Sequence, residues 1–134
     1  MKFILLDQIV LEEPDRLVAR KLVSLAEEYL ADHFPTFPVL PGVMMIEAMA
    51  QAARRLLAQR DSRRLVLGEV RALKYGNMVR PGEILEVEVT LAKAEDDGRY
   101  VLKGVARVIR PQNSASDGET AASGRFTMRP VDIG

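Results

Sequence analysis

One helical segment, residues 42–59, limits the folds open to this chain more than any other feature of its sequence. The segment GVMMIEAMAQAARRLLAQ is rich in Ala, Met and Leu, which are strong helix formers, and no proline interrupts it. Pro41 stands where a helix tolerates proline, at its start. Positions 43–53 are apolar nearly all round, except at Glu47 and Gln51. A helix of this kind is normally buried, so we expect the rest of the chain to enclose it.

The segments that flank this helix have the character of β-strands. Leu85, Val87 and Val89 alternate with Glu86 and Glu88, which predicts a strand with one buried face. The turn signals EPD, RPG and DDG separate several of these segments. The predicted strands are residues 3–12, 16–25, 64–75, 83–95, 98–110 and 119–129. A sheet with one apolar face needs a cover, so we expect a single α+β domain over residues 1–134, with an antiparallel sheet wrapped around one long central helix.

Composition excludes several classes of protein. The chain has no cysteine, which rules out disulfides, thiolate metal sites and a cysteine nucleophile. Lys plus Arg and Asp plus Glu number 19 each, so the positive excess typical of nucleic-acid-binding proteins is missing. No apolar run reaches the roughly 18 residues that span a bilayer, and the first residues do not fit a secretory signal. We therefore expect a cytoplasmic protein with no membrane insertion.

Glu47 is the candidate acid of the chain. A buried carboxyl group is costly when charged, and burial raises the pKa of such a group toward neutrality, which produces a usable general acid. Gln51 lies one turn further on the same side of the helix, and Arg54 and Arg55 continue that side. These four residues also fit the solvated stripe of an amphipathic helix. Val43 makes the stripe apolar near Glu47, but the helix alone leaves both interpretations open.

His33 is the only histidine and is the candidate base. It lies in the run DHFP, and further prolines stiffen the segment as far as Pro41. An unperturbed imidazole pKa of about 6.5 suits proton abstraction at neutral pH, although a lone histidine is more often structural. With one histidine and no cysteine, the sequence offers no ligand cluster for a metal.

The start of the helix supplies a third chemical element. Gly42 and Val43 present unpaired backbone N–H groups at the positive end of the helix dipole. Such donors can hold a carbonyl oxygen while negative charge develops on it.

Taken together, the segment HFPTFPVLPGVMMIEAMAQAA, residues 33–53, resembles the signature of the FabZ-type (3R)-hydroxyacyl-acyl-carrier-protein dehydratases. The shared features are His-Phe-Pro, Pro-Val, Pro-Gly-Val and Ile-Glu-Ala-Met-Ala-Gln, with a gap of fourteen residues from His33 to Glu47. Residues 79–83 (VRPGE) are similar to the family's Pro-Gly-Asp turn, with Glu83 in place of aspartate. The resemblance implies a hot-dog fold, in which an antiparallel sheet wraps around a central helix.

The resemblance also implies an assembly and a mechanism. It implies a homodimer with active sites at the interface, and it leaves a trimer of dimers open. His33 of one chain would remove the α-proton, and Glu47 of the other would protonate the departing β-hydroxyl group. The implied substrate-binding residues are Gly42, Val43, Phe34 and Gln51. The family needs no metal or redox cofactor.

Acyl carrier protein is the partner that the resemblance implies. Carrier proteins are acidic, so basic side chains beyond the helix are candidates for a docking patch, although they also fit a solvated helix end. The candidate arginines are Arg54, Arg55, Arg60, Arg63 and Arg64.

The sequence departs from the family pattern beside the histidine. Asp32 stands where the family usually has glycine, and Thr36-Phe37 stand where Gly-His or Gly-Arg is common. An anion next to His33 would raise the imidazole pKa and weaken the base. We expect these changes to affect rate and chain-length preference more than reaction type.

Other functions of the hot-dog fold remain alternatives. A thioesterase or an enoyl hydratase is the first, and a non-catalytic acyl-binding subunit is the second. The presence of both His33 and Glu47 argues against a silent subunit. FabA-type isomerase activity is less expected, because that group usually has aspartate at the position of Glu47.

Overall fold

The computed structural model describes residues 6–23, 42–110 and 118–131, which form six strands and one helix. These elements are β1 (Gln8–Glu12), β2 (Arg16–Leu22), α1 (Gly42–Leu57), β3 (Leu65–Tyr75), β4 (Ile84–Ala94), β5 (Tyr100–Ile109) and β6 (Glu119–Pro130). All the strands join one antiparallel sheet in the order β1-β2-β4-β5-β6-β3. The predicted α+β class is therefore confirmed, and so is the central helix.

Alternating apolar residues turn one face of the sheet toward α1. In β4, Leu85, Val87 and Val89 are buried, whereas Glu86 and Glu88 lie on the opposite face. The helix contacts every strand from β2 to β6. The sheet thus encloses the helix on its apolar side, as the sequence predicts.

Small residues allow the helix to approach the sheet closely. Ala48 and Ala52 of α1 are fully buried, and Met49 lies directly over Gly104 of β5. A Cβ atom built on Gly104 would lie 2.7 Å from the sulfur of Met49. This strand position therefore accepts the helix only because it carries no side chain.

The outer face of the sheet is covered by ion pairs. The Arg20 guanidinium donates to Glu86 over 2.8 Å, and Arg107 donates to Glu88 over 3.0 Å. Arg16 also pairs with Glu88. The guanidinium groups of Arg16 and Arg107 hold the pKa of Glu88 below its ordinary value.

The turn before β4 is closed by the residue that departs from the family pattern. One carboxylate oxygen of Glu83 accepts the backbone N–H of Arg80 over 2.7 Å, and the other accepts Nε of Arg110 over 2.6 Å. Gly82 has a φ of 88°, which favours glycine. Glutamate therefore closes the turn here through its own hydrogen bonds.

Strand β3 forms a long free edge of the sheet. It pairs with β6 on one side, and that pairing slips twice, with Ala72 at a φ of 54° beside the second slip. Leu73 and Tyr75 near its end are exposed. Within the described residues, β3 pairs with a strand on one side only.

Candidate active site

The structure describes only part of the predicted site. His33 and Phe34 lie outside the described residues, and so do Asp32, Thr36 and Phe37. Gly42, Val43, Glu47 and Gln51 all lie on α1 and are described. The site is therefore built here from the helix and from what surrounds it.

The start of the helix packs against a tyrosine ring. A Cβ atom on Gly42 would lie 2.6 Å from Cε1 of Tyr75 and 2.9 Å from its hydroxyl oxygen. No acidic side chain occupies the first turn of α1, so no carboxylate there offsets the positive end of the helix dipole. Val43 beside it is 68% exposed. The glycine thus places the first backbone N–H groups of the helix beside an aromatic ring and an exposed apolar side chain.

Tyr75 is a residue of the site that sequence reasoning missed. It ends the predicted strand 64–75 and carries no motif. Its proximity to Gly42 arises only because the end of β3 lies beside the beginning of α1. Tyrosine at a strand end is too common to have signalled this contact.

Glu47 is half-exposed in a single protomer. Its side chain retains 42% of its accessible surface, and one carboxylate oxygen lies 3.5 Å from Nη1 of Arg54. The Nε of Arg54 donates to the Leu65 carbonyl of β3 over 3.2 Å. Gln51 is half-buried one turn after Glu47. The predicted burial of the Glu47 carboxyl group is therefore not found within one chain.

The four polar residues of the helix are all partly or fully exposed in a single chain. Arg54 turns toward β3, whereas Arg55 turns the other way and donates to Glu12 of β1 over 2.8 Å. Glu47 and Arg54 form one pair beside β3, and Arg55 belongs to a separate surface ion pair. Within one chain these positions fit the solvated-stripe interpretation.

Arginines near the end of the helix are engaged with their own chain. Arg60 donates to the Pro14 carbonyl, and Arg63 is bound to Asp61 over 2.7 Å and to the Gly98 carbonyl over 3.2 Å. They lie beyond the opposite end of α1 from Gly42, a separation of about 20 Å at 1.5 Å per residue. These contacts are exposed, as expected of a solvated helix end, and the docking patch stays a prediction.

A cavity of about 220 Å³ lies away from the helix. Glu69 and Arg71 of β3 line it together with Arg125 and Thr127 of β6, and no residue of α1 takes part. Its walls are mostly charged, so it does not suit an acyl chain.

Among the described residues, no group of three or more acidic or histidine side chains is arranged to hold a metal ion. The described part of the chain also contains no helix with the length and apolarity needed to cross a bilayer.

Comparison with known proteins identifies the family. Residues 10–115 match the model of the ApeI-like family, described as ApeI dehydratase. The chain belongs to this dehydratase family. It is also 39% identical over 129 residues to a protein of Latilactobacillus sakei named 3-hydroxyacyl-[acyl-carrier-protein] dehydratase FabZ, covering 93% of this chain and 86% of that protein. A protein of the same name from Chloroflexus aggregans is 36% identical, covering 87% of this chain and 82% of its own length. The predicted resemblance to the FabZ-type dehydratases is confirmed.

Solved structures support the fold. One is the dehydratase heterocomplex ApeI:P from Xenorhabdus doucetiae, with a TM-score of 0.70, 19% identity and coverage of 96% of this chain and 99% of that chain. Another is a Streptococcus mutans protein bound to acetyl CoA, with a TM-score of 0.71, 13% identity and coverage of 98% and 92%. At these identities the likeness concerns the fold alone, and the hot-dog architecture is confirmed.

Proposed function

We propose that this chain dehydrates (3R)-hydroxyacyl groups on acyl carrier protein to trans-2-enoyl groups. The observation that carries the proposal is the position of Glu47 five residues after Gly42 on one helix, about 7.5 Å further along its axis. Helical side chains lean toward the helix start, so the carboxyl group and the N–H groups at that start can contact one small substrate. The names of the two FabZ relatives agree with this chemistry.

The proposed mechanism divides the elimination among three groups. The backbone N–H of Gly42 polarises the thioester carbonyl, and neutral His33 takes the α-proton. Protonated Glu47 gives its proton to the β-hydroxyl group, the C–O bond breaks, and water leaves as the double bond forms. Phe34, Val43 and Gln51 contact the substrate, and Gln51 orients Glu47. The reaction moves protons and water without a change of oxidation state, so side chains suffice and no cofactor is proposed.

The active enzyme is proposed to be a homodimer built along β3. This strand offers an edge of 11 residues, and the exposed apolar side chains of Val43, Leu73, Tyr75 and Met78 lie on or near it. Arg54 bridges Glu47 to the first residue of the same strand. A second protomer on this edge would cover the half-exposed carboxyl group and bring its own His33 toward it. Burial of that kind is what a proton donor at neutral pH requires.

The cellular setting follows from the substrate. Acyl carrier protein is proposed as the partner, and the cytoplasm as the compartment. Assembly beyond the dimer, as a trimer of dimers, is tested by the mass of the purified protein. A protein that is monomeric and inactive alone would instead need a different second subunit.

The proposal is tested with purified protein and 3-hydroxyacyl-carrier protein. Formation of the conjugated enoyl thioester is followed for the wild type and for Glu47→Gln and His33→Ala. Loss of a general acid or base is expected to reduce turnover by about 100- to 10,000-fold. Glu13→Gln is the matched control, because Glu13 is an exposed glutamate paired with Arg16 in the turn between β1 and β2, away from Glu47 and from β3.

The products separate the competing functions. Release of free carrier thiol without enoyl product would assign a thioesterase. Wild-type turnover by both Glu47→Gln and His33→Ala would show that the site is wrongly assigned. Tight acyl-carrier binding with no product at all would indicate a non-catalytic subunit.

A further inference from the structure

Arg54 connects the helix to the first residue of β3. It lies two turns after Glu47 on the same side of α1. Its Nε donates to the Leu65 carbonyl over 3.2 Å, and its Nη1 lies 3.5 Å from Oε1 of Glu47. One part of the guanidinium is thus tied to the backbone of the sheet, and another reaches the carboxyl group.

The contact with β3 fixes the direction of the guanidinium. Val131 donates its N–H to the Arg64 carbonyl, so the next pair, Leu65 and Pro130, is a non-hydrogen-bonded pair of the antiparallel ladder. The Leu65 carbonyl therefore points away from β6, and Arg54 donates to it there. The guanidinium is planar and rigid, so anchoring Nε also sets where the two Nη atoms point. A lysine ammonium has no such fork and cannot hold both partners in one geometry.

We propose that Arg54 is a positioning residue for proton donation by Glu47. It holds one carboxylate oxygen and stabilises the negative charge that Glu47 acquires as its proton passes to the β-hydroxyl group. This inference rests on the proposed role of Glu47 as the acid.

The contribution of Arg54 belongs to the transition state. A cation attracts the carboxylate more strongly than the neutral acid, so the contact strengthens as the proton leaves. An interaction that is stronger in the transition state than in the bound substrate raises kcat rather than substrate affinity. In one protomer the side chains of Arg54 and Glu47 retain 39% and 42% of their accessible surface, and solvent weakens such a pair. A second protomer that excludes water from the β3 edge makes the attraction stronger.

Arg20 provides a matched control. It carries the same side chain with the same exposure, 38% against 39% for Arg54, but its Nε donates to Glu86 of β4 over 2.8 Å on the outer face of the sheet. Arg54→Gln is expected to lower kcat about tenfold, the size of a hydrogen bond to a charged group, with KM changed less than about threefold. The kcat of Arg54→Lys should lie between those of Arg54→Gln and the wild type, because lysine keeps the positive charge but lacks the planar guanidinium that binds both partners. Arg20→Gln should leave both constants within about twofold of the wild type.

A double-mutant cycle with Glu47→Asp separates positioning from general weakening of the fold. Aspartate is one methylene shorter, which draws the carboxylate out of reach of Arg54 while it can still donate a proton. Adding Arg54→Gln to Glu47→Asp should therefore cause no further loss of kcat. Thermal unfolding of each variant, at one protein concentration, shows whether the variant is folded. If Arg54→Gln is not folded, Arg54→Lys replaces it in the cycle.

The outcomes distinguish this inference from the proposed function. An unchanged kcat in Arg54→Gln, or a full additional loss in the Glu47→Asp background, overturns the role of Arg54. A rise in KM alone also overturns it. If Glu47→Gln itself turns over normally, the assignment of the acid fails, and the inference fails with it.

Discussion

Replacing Gly104 with alanine tests how closely the helix is packed on the sheet. The added Cβ would lie 2.7 Å from Sδ of Met49 and 3.0 Å from Cε1 of Phe126. Both of these side chains are buried, with 1% and 4% of their surface exposed. Neither can move into solvent to make room, so the strain remains in the core.

The size of the effect follows from these distances. Non-bonded heavy atoms are most favourable at about 3.5–4.0 Å, so the Met49 sulfur must withdraw by about 1 Å. Overpacking of this kind costs about 1–3 kcal/mol. Alanine recovers about 0.5–1 kcal/mol, because glycine loses more backbone entropy on folding. We expect Gly104→Ala to lower the free energy of unfolding by about 1–2 kcal/mol.

Urea denaturation at one fixed protein concentration measures this change, since assembly would make stability depend on concentration. Met49→Ala alone should cost about 2–5 kcal/mol, because it leaves a cavity beneath the helix. In that background the new Cβ at position 104 keeps only its 3.0 Å contact with Phe126, whose ring can shift into the space that Met49 leaves, so Gly104→Ala should cost less than in the wild type. If Gly104→Ala costs as much with Met49→Ala as without it, or costs nothing in the wild type, the packing argument is refuted.

Two further predictions concern a buried carboxylate and the start of the helix. Asp61→Asn should destabilise the fold by about 1–3 kcal/mol near neutral pH, because Asp61 accepts hydrogen bonds from Arg63 and, over 2.8 Å, from the Tyr100 hydroxyl group. Those bonds, of which the one from Arg63 has the largest effect, hold the pKa of Asp61 well below its ordinary value. The stability that ionised Asp61 gives the fold is therefore present above the unfolded pKa of about 3.9 and is lost as the pH falls below that value. Denaturation at about pH 3 should therefore show a smaller difference from the wild type than at about pH 7, and an equal difference would contradict this assignment. Gly42→Ala places a Cβ 2.6 Å from Cε1 of the Tyr75 ring, so the ring or the helix start, with its N–H groups, must shift. It should lower kcat at least about tenfold with little change in the thermal midpoint, and Tyr75→Ala in the same chain should restore part of the loss; normal turnover would show that this packing has no role in catalysis.

Local patterns in the sequence determined the elements of the fold. The uninterrupted run of helix formers predicted a helix over residues 42–59. The helix begins at Gly42, as predicted, and ends at Leu57, two residues before the predicted end. Alternation in β4 marked which of its residues face the helix. The predicted turns at Gly82 and Gly98 both contain glycine with a positive φ. Such signals are readable because helix and strand periods, and turn chemistry, depend on residues close together in the chain.

Contacts between distant segments were decided only by the tertiary structure. The sheet order, which puts β3 beside β6 at a free edge, brings the end of β3 to the helix start and sets Tyr75 against Gly42. Helical periodicity predicts that Arg54 and Arg55 share one side of the helix. In the structure Arg54, beside β3, pairs with Glu47, whereas Arg55 pairs with Glu12 of β1. Which strands become neighbours depends on how the whole sheet buries one helix, and no short stretch of sequence contains that information.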